Sequence, residues 1–211
     1  MTDAANACVY IVDDDRSVLR ALSRLLSSAS YAVRVFDSPS AFFQEHDPEI
    51  PGCAILDVGM SELDGLRVQE LLGHQDIQRP IIFLSGHDDA VTCARAMKAG
   101  ATDYLTKPVS DSVILEAVAR AMETDVETRR QRRIKQNLLL LFARLTPREQ
   151  SVFRLVVQGY LNKQIAHELG IVEKTVKVHR GRVMHKLQVR SFAQLLRVGE
   201  QLDLVDVNEI Q

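Results

Sequence analysis

Short apolar runs alternate with segments of helical periodicity through the first half of the chain. The runs are rich in β-branched and aromatic residues and are predicted to be strands: VYIVD (9–13), YAVRVF (31–36), CAILD (53–57), PIIFLS (80–85) and DYLTK (103–107). The segments between them place apolar residues three and four positions apart and are predicted to be helices: 17–29, 38–46, 65–74 and 90–100. Several strands are almost continuously apolar, as in a sheet covered on both faces. These strand–helix units predict a parallel, doubly wound α/β fold.

After about Ser110 the pattern changes to one long helical stretch. No proline or glycine interrupts residues 111–143, in which a charged part is followed by the apolar run LLLLF (138–142). This stretch is expected to be a helical connector. Its apolar end has three possible partners, namely another protein, the first domain and the core of the second domain, and the last is the favoured one.

A second helical domain begins where Thr146 interrupts this stretch. Thr146 and Glu149 have the spacing of a capping box, and Pro147 suits the first turn of a helix. The chain is therefore divided into a first domain over 1–122, a helical linker over 123–143 and an all-α domain over 144–211.

Within the second domain the sequence has the pattern of a helix-turn-helix. NKQIAHELG (162–170) predicts a short helix that ends at Gly170, and the next helix starts about three residues later. The predicted buried stripe of that next helix consists of Val176, Val183 and Leu187.

The face opposite this stripe is basic. It presents Lys174, Lys177, Val178, Gly181, Arg182 and His185. Residues 174–190 contain six Lys or Arg and no acid, which suits the phosphate backbone of duplex DNA. A basic helical face alone is more often simply solvated, but the short helix and turn before it favour DNA binding.

Charge divides the chain in the same way. The net charge is −2, but residues 1–121 carry 10 Lys plus Arg against 18 Asp plus Glu, whereas residues 122–211 carry 16 against 10. An acidic domain joined to a basic one favours two different partners. Three widely spaced cysteines, no signal-peptide pattern and no apolar stretch of about 18 residues predict a reduced, cytoplasmic protein with no membrane segment.

Carboxylates follow two of the predicted strands. Asp13 and Asp14 end the first strand, and Asp57 ends the third. The carboxyl ends of the strands in such a sheet meet at one edge, where ligands bind, so these side chains are expected to converge. Hard oxygen ligands suit Mg²⁺, or Mn²⁺, with waters and a phosphate oxygen completing the coordination.

Two further strands end in Ser85 and Lys107. A hydroxyl and an ammonium beside a metal-bound carboxylate are what phosphoryl transfer to that carboxylate requires, because charge on the transferred oxygens must be neutralised. Each residue alone is more simply a turn serine or a solvated lysine. Their joint occurrence at successive strand ends favours a phosphoryl-transfer site.

Two other interpretations of the acidic run stay open. The run can be a solvated turn in which Asp15 caps the next helix. Asp13 and Asp15 also form an Asp-x-Asp pair like that of haloacid-dehalogenase-type phosphatases, with Asp13 as nucleophile and Asp15 as acid and base. The missing cap insertion and the attached basic domain argue against such a phosphatase.

The motifs DDD, LDVGM, LSG and YLTKP resemble the receiver domain of two-component response regulators over about residues 7–122. The resemblance implies a flavodoxin-like, five-stranded parallel sheet of strand order 2-1-3-4-5, with Asp57 as the phosphoacceptor. It implies a Mg²⁺ site made by the carboxylates of Asp13, Asp14 and Asp57 and the backbone carbonyl of Gly59. Ser85 and Lys107 would bind the phosphoryl oxygens, Tyr104 would be the switch residue, and the Lys107–Pro108 bond would be cis.

The sequence departs from the common receiver pattern between Asp57 and the third helix. Ser61 stands where proline is usual in Met-Pro-x-x-Asp-Gly, and Gly59 stands where many relatives carry a larger side chain. Neither change removes a charged participant. They are expected to alter the rates of phosphorylation and hydrolysis rather than the chemistry.

In the second half, LTPRE, NKQIA and TVKVH followed by KLQVRS resemble the LuxR-type helix-turn-helix, a four-helix domain, over nearly all of residues 144–203. The resemblance implies that Lys177 and Val178 face bases. The other implied DNA-binding residues are Lys174, Thr175, His179, Arg180, Arg182 and Lys186. Leu161 and Val172 replace serines of the pattern, and Gly181 replaces a residue that often contacts bases, so sequence preference cannot be carried over.

Together the two halves resemble response regulators of the FixJ/NarL family, near its FixJ-, StyR- and TodT-like members. The resemblance implies that a sensor histidine kinase phosphorylates Asp57, and that the phosphorylated protein forms a homodimer through its fourth helix, fifth strand and fifth helix. The dimer would bind promoter DNA and work with RNA polymerase, with no enzymatic activity beyond phosphate acceptance and autodephosphorylation. A receiver that serves only as an unphosphorylated dimerisation module is the alternative.

Overall fold

The first half of the chain forms one parallel β-sheet. The structure is a computed structural model that describes residues 7–74, 77–87 and 89–204. The strands of the described residues are β1 (Cys8–Val12), β2 (Ala32–Phe36), β3 (Gly52–Asp57), β4 (Ile81–Ser85) and β5 (Asp103–Thr106). They pair in the order β2-β1-β3-β4-β5, and all neighbours are parallel. The predicted order is confirmed.

Helices follow each strand and make up the second half of the chain. They are α1 (Arg16–Ser28), α2 (Pro39–Glu45), α3 (Gly65–His74), α4 (Ala90–Lys98), α5 (Asp111–Phe142), α6 (Pro147–Val157), α7 (Asn162–Glu168), α8 (Glu173–Lys186) and α9 (Phe192–Gln201). The chain separates into two compact units, 1–129 and 130–211. In the described ranges, no helix combines the length and the hydropathy that a bilayer crossing requires.

Side chains of the central strands alternate between two apolar layers. Val9 and Ile11 of β1 pack with α1 and α5, whereas Tyr10 and Val12 pack with α2, α3 and α4. All four side chains are fully buried. Because both faces of the sheet are covered, these strands read as continuous apolar runs, and polar chemistry is confined to the strand ends.

The amino end of β3 is tied to α5 by a buried ion pair. One carboxylate oxygen of Asp125 accepts hydrogen bonds from the backbone N–H of Gly52 and from Nε of Arg129, each at 2.8 Å. The terminal nitrogens of Arg129 donate to three backbone carbonyls of the loop before β3. A Cβ on Gly52 would lie 1.9 Å from the Cys8 carbonyl oxygen, so only glycine fits there. The first unit therefore includes α5 as far as Arg129.

Helices α6–α9 and the last turns of α5 enclose a separate core. Leu138, Leu141 and Phe142 pack against it, and the rings of Phe142 and Phe153 lie 5.8 Å apart. The favoured partner for the apolar end of the connector is thus the one observed. Thr146 caps α6, and its capping box with Glu149 is formed as expected.

Replacing Asp125 with alanine is expected to lower the free energy of unfolding of the first unit by about 3 kcal/mol, because the Gly52 N–H and the Arg129 guanidinium lose a buried partner. Urea unfolding of the full-length chain measures this change. Glu123→Ala removes an exposed acid from the same helix and should stay within about 0.5 kcal/mol of the unsubstituted chain. Equal effects of the two substitutions would show that the ion pair does not stabilise this end of the sheet.

Candidate functional site

Four neighbouring strands bring polar side chains to one edge of the sheet. Asp13 directly follows β1, Asp57 and Ser85 are the last residues of β3 and β4, and Lys107 directly follows β5. Asp13, Asp57 and Ser85 are only 2%, 8% and 4% exposed. The parallel order of the strands thus places a buried hydroxyl and two buried carboxylates around one lysine.

Lys107 bridges the two buried carboxylates. Its ammonium nitrogen lies 2.8 Å from Oδ2 of Asp13 and 2.6 Å from Oδ1 of Asp57. The Lys107–Pro108 peptide bond is cis, as the resemblance implies. One cation therefore serves carboxylates from two strands and holds them at a common point.

The charges at this point influence one another. Burial raises the pKa of the Asp13 carboxyl above its ordinary value, and the hydrogen bond from Lys107 offsets only part of this rise. Burial alone would lower the pKa of Lys107, but the hydrogen bonds to Asp13 and Asp57 outweigh it, and that pKa is raised. Lys107 is consequently a permanent cation at neutral pH.

Backbone N–H groups hold the remaining carboxylate oxygens. Oδ2 of Asp57 accepts the N–H of Gly59 at 2.8 Å, and Oδ1 of Asp13 accepts that of Asp15 at 2.8 Å. Oδ2 of the exposed Asp14 accepts the N–H of Ser61 at 3.0 Å. This last contact was not expected from the sequence, although the replacement of the usual proline by a residue with an N–H was its visible sign.

Asp15 has a different role from its two neighbours. Its carboxylate caps α1 and accepts hydrogen bonds from the backbone N–H and the hydroxyl of Ser17, at 2.7 and 2.6 Å. The capping interpretation is therefore right for Asp15 alone. In this arrangement Asp15 serves the helix, so the Asp13–Asp15 pair lacks the free acid and base that the phosphatase alternative needs.

A cavity of about 290 Å³ opens beside Asp57. Its lining comprises Asp57, Val58, Gly59, Ser85, Gly86, His87, Asp89, Thr92, Tyr104 and Lys107. The Ser85 hydroxyl donates to the His87 carbonyl at 2.8 Å, so it lies in the cavity wall but is bonded to its own loop. The Tyr104 ring lies 6.2 Å from that of Phe83, and its hydroxyl is buried.

Gly59 and Gly65, the two glycines after Asp57, differ in whether a side chain would fit at their positions. A Cβ on Gly59 would lie 3.6 Å from Oδ2 of Asp57, an ordinary contact, so a side chain fits there and its absence leaves the cavity wider. A Cβ on Gly65 would lie 2.4 Å from the backbone oxygen of Asp57, so glycine is needed for α3 to start this close to β3.

The oxygen donors at this edge are of the kind that a hard divalent cation prefers. Across the described ranges, no group of three His, Cys, Asp or Glu side chains is placed to hold a metal ion by itself. Mg²⁺ needs fewer, because it binds one or two carboxylates and completes its shell with water and phosphate. The carboxylate of Asp14 accepts a hydrogen bond from Ser61, which lies in the same β3–α3 loop as the predicted ligand Gly59.

Helix α8 carries the predicted DNA-binding residues. Val176, Val183 and Leu187 are 0%, 1% and 2% exposed, which confirms the predicted buried stripe. The exposed members of the predicted set are Lys174, Lys177, Val178 and Arg182. Thr175, His179, Arg180 and Lys186 are half-buried. The set therefore divides into side chains that point to solvent and side chains that also pack within the second unit.

Two of the half-buried residues have partners inside the unit. Arg180 donates to the Asn162 side chain at 2.7 Å and lies over the Phe192 ring, 5.6 Å from its centroid. Lys186 lies 2.6 Å from Oε2 of Glu149, whose side chain is only 3% exposed. Burial would raise the pKa of Glu149, but the Lys186 ammonium and the Thr146 N–H hold it below its ordinary value. The sequence pattern did not reveal these contacts, since they join residues far apart in the chain.

Helices α7 and α8 begin without a side-chain cap, as expected from the replacement of serine by Leu161 and Val172. Leu161 and Val172 precede α7 and α8, contribute no side-chain cap, and are 69% and 67% exposed. At α7, the Gln164 side chain accepts the Leu161 N–H at 2.7 Å. A Cβ on Gly181 would meet open space, so packing does not require glycine in α8.

Comparisons with known proteins agree with this arrangement. Residues 9–119 match the family of response regulator receiver domains, and residues 143–198 match the luxR family of bacterial regulatory proteins. The chain is a response regulator of the LuxR/FixJ type. It combines a receiver domain with a LuxR-type DNA-binding domain, which implies a kinase and DNA as partners.

Similar proteins match over almost the whole length of this response regulator. Nodulation protein W of Bradyrhizobium diazoefficiens is 43% identical over 95% of the chain and 88% of its own length. Response regulator protein TodT of Pseudomonas putida is 44% identical over 96% of the chain and 88% of its own length. The structure of response regulator StyR aligns with a TM-score of 0.76 at 43% identity, over 93% of this chain and 99% of that one. Full-length FixJ from B. japonicum aligns with a TM-score of 0.57 at 32% identity, over 95% and 98%.

The Glu149–Lys186 pair predicts a stability effect that is separate from DNA binding. Lys186→Met is expected to lower the free energy of unfolding of the second unit by about 2 kcal/mol, because it leaves a buried carboxylate without its cation. The contribution of the pair to the free energy of unfolding is fully present above the ordinary glutamate pKa of about 4.3. It is lost as the pH falls below that range, because Glu149 is then protonated. Urea unfolding at pH 7 measures the change.

Lys174→Met is the matched control, because it removes an exposed lysine from the same helix. Its effect on unfolding should be within about 0.5 kcal/mol. A Lys186→Met protein with unchanged stability but weakened DNA binding would assign Lys186 to the DNA surface instead.

Proposed function

We propose that this response regulator accepts a phosphoryl group on Asp57 from a sensor histidine kinase and thereby controls transcription. The observation that carries the proposal is the position of Lys107, whose ammonium contacts Asp57 and Asp13 beside a cavity that is large enough for a phosphoryl group. A cation at this distance can take up the charge of the transferred oxygens, which is the main demand of phosphoryl transfer.

In the proposed transfer, a carboxylate oxygen of Asp57 attacks phosphorus in line with the nitrogen of a phosphorylated histidine. The new oxygen–phosphorus bond forms as the phosphorus–nitrogen bond breaks, and the nitrogen keeps its electron pair. The Lys107 ammonium would contact the oxygens of the transferred phosphoryl group. The Ser85 hydroxyl would break its hydrogen bond to the His87 carbonyl and donate to one of these oxygens. Tyr104, which lines the same cavity, is the proposed switch residue that responds to Ser85.

Mg²⁺, or Mn²⁺, is the proposed cofactor, held by Asp13, Asp14, Asp57 and the backbone carbonyl of Gly59. When bound, such a cation supplies neutralisation of the phosphoryl oxygens and of the crowded carboxylates. The hard oxygen donors that meet at this edge support the assignment.

Phosphorylation is proposed to promote a homodimer through α4, β5 and α5. Exposed apolar side chains on these elements support the proposal: Val91 and Met97 on α4 and Val113 on α5 are 70%, 45% and 39% exposed. Two DNA-binding units brought together in this way can occupy two half-sites of a promoter, with RNA polymerase as the further partner.

For DNA binding we propose α8 as the recognition helix, with Lys177 and Val178 facing bases. Phosphate contacts are proposed for Lys174, Arg180, Arg182 and Lys186, and Thr175 and His179 are further proposed DNA-binding residues. The solvent-facing positions of Lys174, Lys177, Val178 and Arg182 support this choice.

The proposed domains are 1–122 and 144–211 with a linker over 123–143 between them. The contacts of Asp125 and Arg129 favour placing the start of that linker with the receiver. A protein that binds promoter DNA acts in the cytoplasm, which is the location we propose.

Incubation with Mg²⁺ and acetyl phosphate tests the assignment of Asp57. The full-length protein is expected to gain one phosphoryl group, to shift from monomer to dimer, and to bind more tightly to a duplex selected from random sequence. Asp57→Asn should show none of the three changes, because an amide is not a nucleophile for phosphorus. Intact mass, light scattering and fluorescence anisotropy follow them in parallel.

Phosphate uptake that persists in Asp57→Asn would contradict the assigned acceptor. Uptake on Asp57 without any change in assembly or DNA affinity would contradict the regulatory role. A dimer that forms equally in Asp57→Asn would favour the unphosphorylated dimerisation module.

Lys177→Gln tests the proposed DNA surface. It should weaken binding to the selected duplex and reduce the slope of log affinity against log salt by about one if Lys177 contacts a phosphate, and it should relax base preference if Lys177 contacts a base. Its exposed pair with Glu173, at 3.4 Å, should have little effect on stability. Arg197→Gln on α9 makes the same charge change as a control, and equal losses in both variants would point to net charge alone.

A further inference from the structure

The N–H of Ser61 makes a contact that joins two loops at the edge of the sheet where Asp57 lies. It donates to Oδ2 of Asp14 at 3.0 Å, and so joins the loop after β3 to the loop after β1. We propose that this backbone N–H orients the Asp14 carboxylate for the divalent cation, which makes Ser61 a positioning residue of the metal site. The inference rests on the proposed function, since it assumes that a cation binds there.

Asp14 is the acidic residue of this edge that most needs such an anchor. Asp13 and Asp57 are buried and are held by Lys107, each with a second bond from a backbone N–H. Asp14 is exposed, and among the described residues the Ser61 N–H is its hydrogen-bond partner. Without it, the carboxylate would be free to rotate into solvent, and its orientation would have to be fixed when the cation binds.

A neutral donor is the suitable kind of anchor at this position. A lysine or arginine beside Asp14 would neutralise it and compete with the cation. An N–H group restricts the carboxylate and leaves its full charge and its second oxygen available, in the way that outer hydrogen bonds orient metal ligands elsewhere.

The residue type at position 61 decides whether this bond exists. Every residue except proline has the N–H, and proline is what the common receiver pattern carries there. The side chain of Ser61 takes no part in the bond with Asp14. The proposal therefore makes a sharp distinction between two substitutions: Ser61→Ala keeps the bond and Ser61→Pro removes it.

Calorimetric titration of the full-length protein with Mn²⁺ and with Mg²⁺ tests this distinction. Ser61→Pro is expected to bind both cations about fivefold to tenfold more weakly, at the low end of the effects seen when outer hydrogen bonds to metal ligands are lost, because this bond is exposed. Ser61→Ala should match the unsubstituted protein. Ser61→Gly, which also keeps the N–H, separates loop stiffness from the hydrogen bond.

Equal affinities in the proline and alanine variants would overturn the proposal and leave the metal site intact. Tighter binding in Ser61→Pro would also overturn it, because the N–H would then be a competitor of the cation. No binding of either cation to the unsubstituted protein would overturn the proposed metal site together with this inference.

Hydrogen exchange of the Ser61 amide provides a second test that does not depend on how well Ser61→Pro folds. The amide should be protected in the metal-free protein, should lose protection in Asp14→Ala, and should stay protected when Mg²⁺ is added. Exchange at the rate of an unstructured loop would mean that the bond is absent. Loss of protection on adding Mg²⁺ would mean that the cation displaces the N–H, and either result overturns the proposal.

Discussion

The ammonium of Lys107 is the interaction on which the acidic edge of the receiver depends. Two buried carboxylates, on Asp13 and Asp57, share it, and neither has another side-chain cation at hydrogen-bond distance among the described residues. Burying two like charges without a cation would cost several kcal/mol, so the Lys107 ammonium stabilises the buried positions of both carboxylates. The same lysine must serve the phosphoryl group in the proposed reaction. Lys107 therefore has two roles: it stabilises the two carboxylates of the unmodified site, and in the proposed reaction it moves to contact the phosphoryl group.

Much of this arrangement could be predicted from the sequence because it depends on periodicity and on strand ends. The apolar runs gave the strands to within one residue at either end, and the positions of Asp13, Asp57, Ser85 and Lys107 at their carboxyl ends followed directly. What the sequence did not reveal depends on distance in space. The Ser61 N–H reaches Asp14 across 47 positions, and Asp125 reaches Gly52 across 73. No local pattern marks such pairs, and the unusual serine and the i, i+4 spacing of Asp125 and Arg129 indicate only one side of each contact.

In the DNA-binding unit the sequence could indicate charge but not the use of each charge. Six Lys or Arg in residues 174–190 form a convincing basic segment, yet Lys186 neutralises the buried Glu149 and Arg180 spans Asn162 and Phe192. An ion pair of this kind does not preclude a phosphate contact, but it means that removal of the lysine changes folding as well as binding. Stability therefore has to be measured beside DNA affinity before either residue is assigned to the interface.

The location of the α5 anchor bears on how the proposed phosphorylation can act. Asp57, the proposed phosphoacceptor, is the last residue of β3, whereas Gly52, which Asp125 holds, is the first. About 17 Å of buried strand therefore separates Asp57 from the anchor of the connector helix. The side chains of β3 are buried at every position and close-packed, so they have little room to move. Ser85 and Tyr104 belong to β4 and β5, and they line the cavity beside Asp57 together with Asp89 and Thr92 at the start of α4. Helix α4 carries exposed apolar side chains. This geometry is consistent with the proposed regulation, in which phosphorylation brings two copies together through the receiver surface, rather than with a change that is transmitted along β3 to the connector.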